Sequence, residues 1–97
     1  MKISYKNNKI KRMCEDAKQA EKRLGADGAY KLKTRIVELQ AFSLEILLRD
    51  GVGGCHKLTG NRKDQYAMHL NEPFRLIFTV RVVNNATIIE VVDYHKK

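Results

Sequence analysis

Apolar residues recur every three or four positions in the first half of this chain and every second position in its last third. Residues 2–6 (KISYK) alternate and predict a short first strand. Ile10, Met13, Cys14, Ala17, Ala20 and Leu24 then fall at helical spacing, with Lys, Glu and Gln between them, so an amphipathic helix is expected from about Asn8 to Leu24. Gly25 is expected to end it. Asp27 is placed to cap a second helix, in which Ala29, Leu32, Ile36 and Leu39 repeat at three and four. Such stripes ordinarily face a core. Ser43 can cap a short third helical segment, LEILLRD, closed by Gly51.

The period then changes. GVGGCHKLTGNRKDQ holds four glycines in fifteen residues and reads as a long loop, or a short strand set in loops. Beyond it Tyr66, Met68 and Leu70 alternate with Ala67 and His69. Asn71-Glu72-Pro73 is a turn, and Phe74, Leu76, Phe78, Val80 and Val82 alternate with Arg75, Ile77, Thr79 and Arg81. Asn84-Asn85 is expected as a two-residue hairpin loop, since Asn tolerates positive φ, leading into a last strand over 86–94. The expected fold is α+β: a short N-terminal strand and two antiparallel helices packed on a small antiparallel sheet, as one domain over residues 1–97. The expected register places His69 opposite Arg75 and Arg75 opposite Tyr94, with Asp93 and His95 as diagonal neighbours.

Charge adds a partner class. The net charge is +8, unevenly spread. Residues 1–35 carry eleven bases and four acids (+7), residues 36–54 one and three (−2), and residues 55–97 seven and four (+3). A small basic domain suits a polyanion such as nucleic acid, or an acidic protein; a solvated lysine-rich helix face is the plainer reading. The apolar share, 43%, is ordinary for a globular protein. No apolar run reaches the ~18 residues of a membrane span, and MKISYKNNKIKR lacks the apolar centre of a secretory signal. Cys14 and Cys55 are expected as reduced thiols in a cytoplasmic protein. Cys55, His56, His69 and His95 match no common zinc spacing, and no metal or cofactor is expected.

The residues gathered at one end of the expected sheet are Arg75, Asp93, Tyr94 and His95, with His56 on the glycine-rich loop. Two imidazoles can accept and donate protons near neutrality, and a guanidinium can hold a phosphate through paired hydrogen bonds. That set suits cleavage of RNA, whose 2′-hydroxyl supplies the nucleophile. A structural Arg75–Asp93 ion pair with a loose His95 is the competing reading.

The stretch CHKLTGNRKDQYAMHLNEPFRLIF, followed after eleven residues by EVVDYH, resembles the HigB-type branch of the RelE-like toxins of bacterial toxin–antitoxin systems. His56, Gly60-x-Arg62, Arg75 and Asp93-Tyr94-His95 carry the resemblance, which covers residues 55–95. It implies a ribosome-dependent endoribonuclease that cuts mRNA in the ribosomal A site. His56, Arg75, Asp93, Tyr94 and His95 fall on the family's catalytic positions. Lys57, Arg62 and Lys63, with Lys9, Lys11 and Arg12 of the first helix, are expected to contact RNA; Lys18, Lys22 and Arg23 extend that helix surface. The implied partners are the ribosome, mRNA and a cognate antitoxin, a helix-turn-helix protein of the HigA kind. Two positions depart from the pattern: Lys57 replaces a proline and Thr59 a lysine, which weakens phosphate binding unless Lys57 or Lys63 covers for it. His69 matches no catalytic position and is expected at the surface, flanking the site. A gyrase-directed or antitoxin-binding module without catalysis is the alternative on the same scaffold.

Overall fold

The computed structural model describes residues 1–94; His95, the expected terminal imidazole, lies outside them. The described residues fold as α+β, with three α-helices and a five-stranded sheet. Strand β1 (Lys2–Tyr5) leads to helix α1 (Asn8–Glu15), capped by the Asn7 side chain, which accepts from the Ile10 amide at 2.9 Å. The helix expected to run to Leu24 breaks earlier. Asp16 adopts an extended conformation, and its carboxylate accepts from the Lys18 amide at 2.9 Å, starting helix α2 (Ala17–Ala41). Side-chain competition for backbone amides makes Asp a helix starter wherever it can cap, and here that preference overrides the continuous apolar stripe. Gly25 is non-helical (φ 77°, ψ 173°), but the helix resumes at once, so the expected boundary is a kink within α2. Asp27, expected as a cap, pairs with Lys31 one turn on at 3.5 Å. Ser43 caps helix α3 (Leu44–Asp50) as expected, accepting from the Ile46 amide at 3.2 Å.

Strands β2 (His56–Lys57), β3 (Gln65–His69), β4 (Phe74–Val82) and β5 (Asn85–Asp93) complete the sheet, in the order β1-β5-β4-β3-β2. All neighbouring pairs are antiparallel except β1 with β5. The expected meander is therefore present with a parallel strand added at one edge and a two-residue strand at the other. One face packs on the helices. Leu76, Phe78 and Ile88 are fully buried there with Leu32, Leu39 and Leu47, and the expected helix stripes supply Ile10, Leu24, Met13 and Ile36. Full burial of a side chain of this size is worth ~1.5–3 kcal/mol each, which fixes the sheet face that the helices cover.

The β4–β5 register differs from expectation by two residues. The turn residues are Val83 and Asn84, with Asn84 at φ 62°, and Asn85 already pairs with Val82. Asn84 supplies the left-handed conformation for which Asn-Asn was singled out, but from the second turn position. Arg75 consequently faces Val92, not Tyr94, and Phe74 faces Asp93. Register shifts at Ile77/Phe78 and Thr79/Val82 offset one another along the ladder.

Candidate active site

Alternation of side chains across a strand settles which candidates meet. Phe74, Leu76 and Phe78 point to the helices, so Arg75 and Ile77 point away from them. Ala67 and Ile77 are buried yet stand outside the helix-side core. They form the floor of the opposite face. His56 pairs with Ala67, His69 with Arg75, and Arg75 with Val92, so these positions share that face. Tyr94, two residues beyond Val92, returns to it.

Arg75 is the fixed centre. Its side chain is only 13% exposed. It donates to the Phe74 carbonyl at 2.9 Å, pairs with Glu72 at 3.0 Å, and lies over the Tyr94 ring at 5.1 Å from the centroid. The Tyr94 amide donates to the Pro73 carbonyl at 3.1 Å, which ties the end of β5 to the 71–73 turn. Glu72 is 69% exposed, so water weakens its hold on Arg75.

The two histidines lie beside this centre, their rings edge to face with centroids 6.4 Å apart. His56 Nδ1 donates to the Gly54 carbonyl at 2.9 Å. A carbonyl only accepts, so this bond assigns the Nδ1 proton and leaves Nε2 as the nitrogen that exchanges protons with a ligand. The His69 carbonyl accepts from Arg35 Nε at 2.7 Å, and Arg35 is itself held by Glu38 at 2.9 Å. The His69 pKa lies below its ordinary value. Burial is the main cause and the Arg75 charge the next; His56 and Arg35 add to the lowering and Glu72 opposes it.

Asp93 belongs to the other face. Opposite Phe74, it borders a groove of about 1120 Å³ between the sheet and the α1–α2 segment, with Lys9, Arg12, Lys22 and Arg23 around it. Arg23 donates to the Val91 carbonyl at 3.1 Å and covers the Phe74 ring at 5.6 Å, so it braces the sheet while remaining exposed. Lys9, Lys11 and Arg12 are exposed, as expected. Arg62, expected to meet RNA, reaches Glu90 at 3.0 Å and Gln65 at 2.8 Å. Lys57 pairs with Tyr66 on the face away from His56; Lys57 and Lys63 are both exposed. His69 is exposed at the end of β3, flanking the site as expected, and its expected pairing with Arg75 is present. Sequence reasoning missed Glu72, which the turn brings back over Arg75.

No helix among the described residues is long and apolar enough to cross a membrane. No family model matches this chain, and no curated protein does either. Solved structures do. A YoeB/ParE toxin from Agrobacterium tumefaciens superimposes with a TM-score of 0.66 over 94% of this chain and 95% of the toxin, at 15% identity. A YoeB-YefM complex from Staphylococcus aureus matches with a TM-score of 0.63 over 94% of this chain and 93% of the matched one, at 21% identity. With its three helices on a mostly antiparallel sheet, the chain has the fold of the YoeB/ParE toxins.

Proposed function

We propose that residues 1–97 form one toxin domain of a type II toxin–antitoxin pair, of the HigB-type branch, that acts as a ribosome-dependent endoribonuclease. The observation that carries this reading is the placing of His56, Arg75 and Tyr94 on one face of a toxin-like sheet, with Arg75 recessed and anchored on three sides. Arg75 holds the scissile phosphate and stabilises the charge that develops on it. Tyr94 stacks on or hydrogen-bonds the nucleotide. The 2′-oxygen attacks phosphorus, its proton passes to an imidazole, and the bond to the 5′-oxygen breaks as a second imidazole protonates the leaving group. His56 serves as the acid through Nε2. His95, which lies outside the described residues, is the expected base, and Asp93, on the helix-side face, does not join the open-face set. Lys9, Lys11, Arg12, Lys57 and Lys63 contribute long-range attraction to RNA in the cytoplasm.

The Staphylococcus aureus structure holds YoeB with a second protein, YefM. By analogy this chain takes a cognate antitoxin, of the helix-turn-helix HigA kind. The rival reading, a binding module that does no chemistry, draws on the Glu72–Arg75 pair, which competes with an incoming phosphate. Primer extension on cellular mRNA after induction separates the two. Cuts within codons of translated messages support the nuclease; intact messages with DNA damage support a gyrase-directed toxin.

A further inference from the structure

His69 is a better-placed proton acceptor than its position at a strand end suggests. We propose that His69 is a catalytic residue of this site, taking the 2′-hydroxyl proton while His56 protonates the leaving 5′-oxygen. The inference rests on the ribonuclease reading and moves the base from His95 to a residue whose position two elements fix.

Three observations carry it. First, His69 is the direct cross-strand partner of Arg75, which puts their Cβ atoms ~4.5–5.5 Å apart on the open face. A phosphate held by Arg75 is therefore within reach of His69. Second, two nitrogens that each approach opposite oxygens of one phosphate to ~3 Å must stand several ångströms apart. The imidazole centroids are 6.4 Å apart, a separation on that scale. Third, both rings are set by one residue. The Gly54 carbonyl holds His56, and a Cβ at Gly54 would lie 2.6 Å from His69 Cδ2 and 2.9 Å from Nε2. The absence of a side chain at 54 gives the His69 ring its place, and Arg35 fixes the backbone behind it.

The protonation state agrees. Partial burial, with Arg75 on β4, His56 on β2 and Arg35 on α2 facing it, lowers the basicity of His69; Glu72 in the turn works against them. At neutral pH the ring is mainly uncharged and able to accept a proton. The step balances: the 2′-proton moves to a His69 ring nitrogen, the 2′-oxygen–phosphorus bond forms, the phosphorus–5′-oxygen bond breaks, and His56 Nε2 gives its proton to the 5′-oxygen. Solvent then restores both imidazoles.

The test is single-turnover cleavage of ribosome-bound mRNA across pH, with wild type, His69→Gln, His69→Ala and His95→Gln compared at equal ribosome occupancy. His69→Gln should be slower by about 10²–10⁴-fold with ribosome affinity unchanged. It should lose the acidic limb of the rate profile, which His95→Gln should keep. Added imidazole should partly restore His69→Ala, a response that a merely structural residue would not give. The proposal is overturned if His69→Gln cuts at the wild-type rate with the same profile, or if His95→Gln alone removes the limb. Wild type that leaves every message intact refutes the nuclease reading, and this role with it.

Discussion

Gly28→Ala sets two well-known effects against each other, and the structure decides the sign. In the interior of an exposed helix this change stabilises by about 1 kcal/mol, because alanine is the best helix former and glycine nearly the worst. Gly28, in α2, is buried, and a Cβ there would lie 2.5 Å from Leu24 Cβ and 2.8 Å from Asn71 Cγ. Asn71 has reason to come so close. The kink at Gly25 leaves the Leu24 carbonyl in need of a donor, and Asn71 Nδ2 supplies it at 2.9 Å. Displacing Asn71 forfeits that hydrogen bond and strands the carbonyl, which together cost ~1–3 kcal/mol, and the approach to Leu24 Cβ adds to it. Against a gain of about 1 kcal/mol, the net is a loss of about 1 kcal/mol or more, or roughly 5 °C in Tm for a domain of this size. Thermal denaturation followed by circular dichroism measures it. The cause is isolated in an Asn71→Ala background, where the hydrogen bond is already gone. There the glycine substitution should cost at least about 1 kcal/mol less than in wild type. A rise in Tm on Gly28→Ala, or an equal cost in both backgrounds, would refute the reasoning.

Other consequences can be measured directly. Burial, with Glu15 adding to it at Cys14, pushes the thiol pKa up to about 12 at Cys14 and about 11 at Cys55. Both cysteines should therefore react slowly with a thiol reagent at mildly alkaline pH, and quickly once the chain is unfolded. His69 has a lowered pKa when folded, so the unfolded chain, titrating near pH ~6.5, takes up the proton first. Stability should be undiminished above that pH and fall as pH drops through the folded pKa, and the fall should be smaller in His69→Gln when Tm is followed across pH. Replacing Lys9, Lys11 and Arg12 by Gln should weaken ribosome binding in filter or sedimentation assays and flatten its salt dependence, while cleavage of bound message is unchanged. Glu72→Gln removes the exposed competitor of a phosphate on Arg75 and should tighten binding of a short RNA in a titration; weaker binding would mean that Glu72 instead holds Arg75 in its productive place.

The sequence by itself determined the element types, because periodicity reports directly which side of a helix or strand is buried. It located the Ile10, Leu24, Leu32 and Leu39 stripes, the Ser43 cap, the three-strand meander and the pairing of His69 with Arg75, all of which rest on contacts local in sequence or on a single tight turn. The break at Asp16 was local too, but a cap competes with an unbroken apolar stripe, and the pattern alone does not weigh one against the other. What only the tertiary structure decided is the register of the last hairpin. It turns at Val83-Asn84, one residue earlier than its composition suggests, and the β4–β5 ladder carries two offsets. A shift of two residues keeps each side chain on its face, so Tyr94 stays on the side of Arg75 and Asp93 turns to the helix-side groove, although the two are neighbours in the chain. Contacts between distant segments were likewise beyond the sequence. Asn71 on the Leu24 carbonyl and Gly54 against the His69 ring each join residues brought together by folding, and no spacing along the chain encodes such a meeting.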